Sequence, residues 1–162
     1  MNHAASQSDS PRTPQTGRVA GIDYGTVRIG IAVADLQVRI ATAVETYTRR
    51  TLDLDAQFFR RFATGEQIRQ FIVGLPVHLS GYESQKSSEA RAFGAWLAEQ
   101  TGTPVVYFDE RFTSFEAERI LEAANLTKKK RQARIDALAA QILLTAYLES
   151  SGESESIAGL DE

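Results

Sequence analysis

Between Val19 and Tyr47 three apolar runs follow one another with almost no chain between them. Val19–Asp23 stops at the turn Tyr24-Gly25-Thr26, and a second run extends from Ile29 to Ala34. After a break at Asp35-Leu36-Gln37, a third runs from about Arg39 to Tyr47. Parallel strands need a crossover of a dozen or more residues, so strands joined this closely must run antiparallel, as a meander. That excludes an all-helical chain and a purely parallel sheet.

The pattern then changes period. Leu54, Phe58 and Phe62, with Phe59 beside them, recur at helical spacing over about 52–64. "QFIVG" (70–74) is a continuous apolar run, as expected of a strand buried on both faces. A helix follows over about 84–101, with Ala90, Phe93, Trp96 and Leu97 on one side and Gly102 at its end. "PVVYF" (104–108) is the next buried strand. Thr113 and Glu116 fit a capping box that opens a helix to about Ala124. A basic loop, Lys128-Lys129-Lys130-Arg131, then leads to a last helix striped by Ile135, Leu138, Ala139, Ile142, Leu143, Ala146 and Tyr147. Strands reached through helical crossovers lie parallel to the first. The expected fold is α/β: a mixed five-stranded sheet, three antiparallel strands then two parallel, with helices packed on it.

Composition sets the limits of this unit. Residues 1–17 are rich in Ser, Gln, Thr and Pro and residues 150–162 are polar and acidic, so both are expected to be disordered around a folded domain at 18–149. The chain has no cysteine, hence no thiolate metal site and no disulfide. No apolar run is long enough to cross a membrane and the N-terminus lacks a signal-like core, so no membrane partner and a cytoplasmic location are expected. The net charge of −3 does not exclude nucleic acid. Five acids and no base fall in residues 149–162, which leaves 18 basic against 16 acidic residues before them. A local basic patch engages phosphates whatever the total charge.

Three carboxylates stand out. Asp23 ends the first strand, and Asp109-Glu110 end the last. Alternation puts Val106, Phe108 and Glu110 on one face and Val105, Tyr107 and Asp109 on the other, so only one of these two acids faces a given site. Asp136 is expected in the first turn of the last helix, on the side that packs on the sheet. Each has a plain structural reading: a turn residue, a solvated strand end, an acid favoured by the helix dipole. Together they converge on the C-terminal edge of the sheet, where open α/β sheets place ligands. Three hard oxygen donors without His or Cys suit Mg²⁺ or Mn²⁺ rather than zinc. One or two such ions are the usual means of phosphodiester hydrolysis.

"DYGTVRIGIAVAD", "FIVGLP", "DERFTS" and "KKKRQARIDALAAQILLTAYL" resemble, in order and spacing, the motifs of the YqgF/RuvX family over residues 18–149. The resemblance implies a ribonuclease H-like fold and a nuclease that processes the 5′ end of pre-16S rRNA in ribosome biogenesis. The family's older description is a Holliday junction resolvase, by likeness to RuvC. By motif position Asp23, Glu110 and Asp136 look like the three acidic active-site residues and ligands of Mg²⁺ or Mn²⁺. Arg28 and Arg111 match the motif arginines, which contact phosphate or hold the carboxylates. Lys128, Lys129, Lys130 and Arg131 resemble the basic segment before the final helix, read as phosphate contacts.

The implied partner is nucleic acid, an rRNA precursor first and branched DNA second, for a monomer or homodimer. Departures are small: Ser80 stands where the family commonly has an Asp, and Phe112 and Ser114 where it often has Leu and Thr. His78 is a lone loop histidine, open to a proton-transfer role. Two other readings stay open. "DYGT" also resembles the phosphate loop of actin- and hexokinase-like proteins, although 162 residues leave no room for their second domain. A non-catalytic rRNA-binding module would carry the same basic and acidic residues.

Overall fold

The structure, a computed structural model, describes residues 16–76, 84–110 and 128–150, with side chains from Arg134 onward in the last segment. Its elements are β1 (Arg18–Asp23), β2 (Arg28–Asp35), β3 (Ala41–Thr48), α1 (Leu52–Gly65), β4 (Ile68–Leu75), α2 (Gln85–Thr101), β5 (Val105–Asp109) and α3 (Lys128–Ser150). They form one sheet in the order β3-β2-β1-β4-β5. β1 and β3 flank β2 in antiparallel register, whereas β4 is parallel to β1 and β5 to β4. The meander and the two parallel crossovers are therefore as expected. The capping box at Thr113, the helix to Ala124, and the loop with His78 and Ser80 lie outside the described residues, as do Arg111, Phe112 and Ser114.

Strand alternation divides the core into two layers. Ala20, Ile22, Ile29, Ile31, Phe71 and Val73 face α1 and α2, where Phe59, Phe93 and Leu97 meet them. Val19, Ala32, Ala34 and Ile72 face the other way, onto Ala140, Leu144 and Leu148 of α3. β5 follows the same rule, Tyr107 packing with the first layer and Phe108 with the second. Thr51 caps α1 by accepting from the Leu54 N–H, and Ser84 caps α2 by accepting from the Ser87 N–H. Gly102 closes α2 at φ 70°, its N–H bonding the Ala98 carbonyl.

Three details differ from the sequence reading. On α1 the buried face is Asp55, Ala56, Phe59 and Ala63, while Leu54 is exposed and Phe58 and Phe62 are half-buried. Large side chains set the expected stripe, but small ones let the helix seat closely. On α3 the buried face is Ala137, Ala140, Leu144 and Leu148 with Ile142 and Leu143, and Leu138, Ala139 and Tyr147 are only partly covered. Finally, Lys128–Arg131 is not a loop: α3 already begins at Lys128. Lysine and arginine are good helix formers, so a basic run continues a helix as readily as it breaks one. Asp136 consequently lies in the third turn, beyond the reach of the terminal dipole. Among the described residues no helix is long and apolar enough to cross a membrane.

Candidate active site

At the C-terminal ends of β1 and β5 the chain delivers two carboxylates to one point. The alternation that turns Val19 and Gly21 toward α3 also turns Asp23 that way, and β5 brings Glu110 alongside. The Asp23 and Glu110 side chains are hydrogen-bonded to each other. Two carboxyls this close favour protonation, since the pair resists carrying both charges. Burial is the main reason: it pushes Asp23 well above its ordinary 3.8, and the adjacent Glu110 and then Asp136 charges push it further. Glu110 is also raised, from 4.5, by burial first; the hydrogen bond from Asp23 opposes that shift and the Asp109 charge adds to it.

Asp136 arrives from above the sheet on α3. Arg28, the first residue of β2, donates from Nε to its Oδ2 at 3.0 Å, in a partly buried pair. Arg28 thus holds a carboxylate in this structure, one of the two roles open to a motif arginine. Glycines set the heights of both acids. A Cβ on Gly30 would overlap the Asp136 carbonyl oxygen, and one on Gly74 would overlap the Glu110 carboxylate. Gly21 does the same for the rest of the helix, its site for a Cβ lying 2.9 Å from the Ala140 oxygen. Isolated glycines within strands signal such close approach, and that signal was available in the sequence without its target.

Lys128, Lys129, Lys130 and Arg131 share α3 with Asp136, five to eight residues toward its N-terminus. At about 1.5 Å per residue their backbone lies roughly 8–12 Å along the axis from it. Arg111 falls outside the described residues.

Next to the carboxylate pair a cleft of about 330 Å³ opens between the Tyr24-Gly25-Thr26 turn and the first turns of α2, with Lys86, Glu89 and Glu110 in its lining. Tyr24, one wall, is braced from behind. It stacks on Phe93 at 4.9 Å between centroids, and Arg49 Nη1 donates to its hydroxyl at 3.2 Å. Arg49 is in turn held by Asp55, an acid buried to 1 % exposure. Asp55 also accepts from the Tyr47 hydroxyl at 2.6 Å and the Arg50 N–H at 2.9 Å. Burial and that bond to Asp55 raise the Tyr47 hydroxyl to about 12. Sequence reading missed this brace, because Asp55 looks like any acid in the first turn of a helix.

As a donor set, Asp23, Glu110 and Asp136 are all hard oxygen ligands, which fits Mg²⁺ or Mn²⁺. Among the described residues no three His, Cys, Asp or Glu side chains are drawn close enough to grip an ion without adjustment.

The chain matches the family model described as "RuvX: Holliday junction resolvase" over residues 17–150. It is 46% identical over 146 residues to a protein of Rhodopirellula baltica provisionally named a pre-16S rRNA nuclease, covering 90% of this chain and 84% of that one. A relative from Koribacter versatilis with the same name is 40% identical over 136 residues, covering 84% of this chain and 89% of its own. Among solved structures the chain resembles Thermus thermophilus RuvC in complex with a Holliday junction substrate: TM-score 0.53, 18% identity, 83% of this chain and 94% of that one. It also resembles a fowlpox virus resolvase in complex with Holliday junction DNA, at TM-score 0.53 and 11% identity, over 82% of this chain and 97% of that one. At such identities the likeness is one of fold, the ribonuclease H-like fold.

Proposed function

The chain belongs to the RuvX family, and on that premise we propose that it is a divalent-metal-dependent nuclease acting in 5′-end processing of pre-16S rRNA. The observation that carries this reading is the Asp23–Glu110 pair: two half-buried carboxyls hydrogen-bonded to each other at the C-terminal edge of the sheet, where open α/β sheets place ligands. A structural role does not account for such a pair, since burial and mutual repulsion both cost stability. Cation binding offsets that cost.

In this reading Asp23 and Glu110 hold one or two Mg²⁺ or Mn²⁺ ions, with Asp136 completing the set. When bound, such ions supply a water of lowered pKa and neutralise charge on the leaving oxygen. The protein's own part is threefold. Asp23 and Glu110 would hold a cation in their deprotonated form, so affinity falls as pH is lowered. Arg28 sets the orientation of Asp136 from β2. Lys128–Arg131 and Arg111 contact backbone phosphates, which positions a nucleic acid without reading its sequence.

A second reading, cleavage of a four-way DNA junction, is favoured by the description of the matching family. The test compares the wild type with Asp23→Asn on a 16S precursor fragment, single-stranded RNA and a four-way DNA junction, each with Mg²⁺, Mn²⁺ or EDTA. Cleavage of the precursor that needs metal and is lost in Asp23→Asn is the expected result. Equal cleavage by both proteins would refute the site, and symmetric cutting of the junction alone would replace the RNA substrate with DNA.

A further inference from the structure

The cleft beside Glu110 has its own chemistry. A nuclease site made of carboxylates repels the polyanion it must cut, and a bound cation compensates only at the scissile phosphate. The next phosphate along the strand needs a separate positive group. One lines the cleft: Lys86, in the first turn of α2. Its side chain is exposed and makes no ion pair among the described residues, although Glu89 stands three residues along the same helix. Glu89 instead accepts from Gln85 at 3.5 Å. Across from Lys86 lies Thr26, whose exposed hydroxyl is a hydrogen-bond donor at the mouth. Asp55 and Arg49 hold the Tyr24 wall, so the distance between cleft and carboxylates is fixed by buried contacts rather than by a loose turn.

We propose that this cleft is a phosphate subsite for the nucleotide next to the cleaved bond, with the Lys86 ammonium supplying the charge and the Thr26 hydroxyl a hydrogen bond. The inference rests on the nuclease reading and deepens it. The subsite places the strand without sequence preference. Glu89 opposes an anion there and limits how tightly the substrate is retained.

The test measures binding of a fluorescent 12-nucleotide single-stranded RNA to the full chain by anisotropy, as a function of salt, in the cleavage-deficient Asp23→Asn background. Lys86→Ala should weaken binding about fivefold at 0.1 M salt and lower the slope of log affinity against log salt by about 0.7. Lys86→Arg should retain both, and Glu89→Gln should tighten binding. Arg61→Ala removes the same charge from an exposed position in the far half of α1 and should change neither. Equal affinity and slope for Lys86→Ala and its parent would overturn the subsite while leaving the nuclease reading intact. A parent that binds no RNA at any salt, together with a wild type that cuts none, would overturn both.

Discussion

The two faces of the sheet are packed differently. Toward α1 and α2 the strands present Ile, Val and Phe, and the helices answer with Phe59, Phe93 and Leu97, a layer of large side chains with rings in edge and stacked contact. Toward α3 the burial of Val19, Ile72, Leu144 and Leu148 is joined by small residues, Ala32, Ala34, Gly21 and Gly30, over which the α3 backbone at Asp136 and Ala140 comes close to the strands. Large side chains bury area and hold helices away from the sheet. Small ones give up that burial and bring the helix backbone down onto the strands. Both faces bury apolar side chains, and the second also sets the height of Asp136 over β2. The difference teaches where this chain spends packing on precision.

Substitutions on each face break or sharpen that contrast. Leu97→Ala, fully buried in the first layer, should cost about 2–5 kcal/mol in urea unfolding, with the turnover of the folded protein unchanged. Unaltered stability would mean that this layer is not the anchor. Gly30→Ala should do the reverse. The new methyl forces the α3 backbone away at Asp136, and a misplacement of order 1 Å lowers turnover about 100-fold. A Gly30→Ala protein that cuts at the wild-type rate would show that α3 need not sit so low.

Arg28→Gln releases Asp136 without touching either core layer. Loss of this partly buried pair should lower the unfolding free energy by no more than about 1 kcal/mol, and turnover should drop about tenfold if Arg28 orients the acid. Loss of stability with full activity would make the pair merely structural.

The smallest effect is a change of sign. Asp23 has a folded pKa above its unfolded one, so the folded state binds protons more tightly between the two values. Without metal, stability should therefore fall as pH rises from near 3.8 through the raised value. Asp23→Asn should be more stable than the wild type in EDTA at pH 7, and the gap should close below pH 3.8, where both are uncharged at this position. Melting curves across that range check it; an Asp23→Asn protein less stable at pH 7 would mean the acid is not repelled there.

Much of this was legible in the residues. Short connections dictated the meander, and continuous apolar runs separated by helical spacing dictated parallel β4 and β5, because both are local consequences of chain geometry. Asp23 and Glu110 were found as acids at strand ends, where topology alone brings such ends together. The failures share a cause. Leu54 was preferred to Asp55 for burial because hydrophobicity was read without partners, and Asp55 is buried only because Tyr47 and Arg49 of the β3 segment satisfy it. Gly30 and Gly74 were visible as letters, but what each makes room for comes from elements 106 and 36 residues away. The sequence by itself determined the order and direction of the strands and which acids reach the same edge. Only the tertiary structure decided their heights, the raised pKa values of Asp23 and Glu110 and the brace behind Tyr24, because burial and close approach belong to pairs of segments and to neither segment alone.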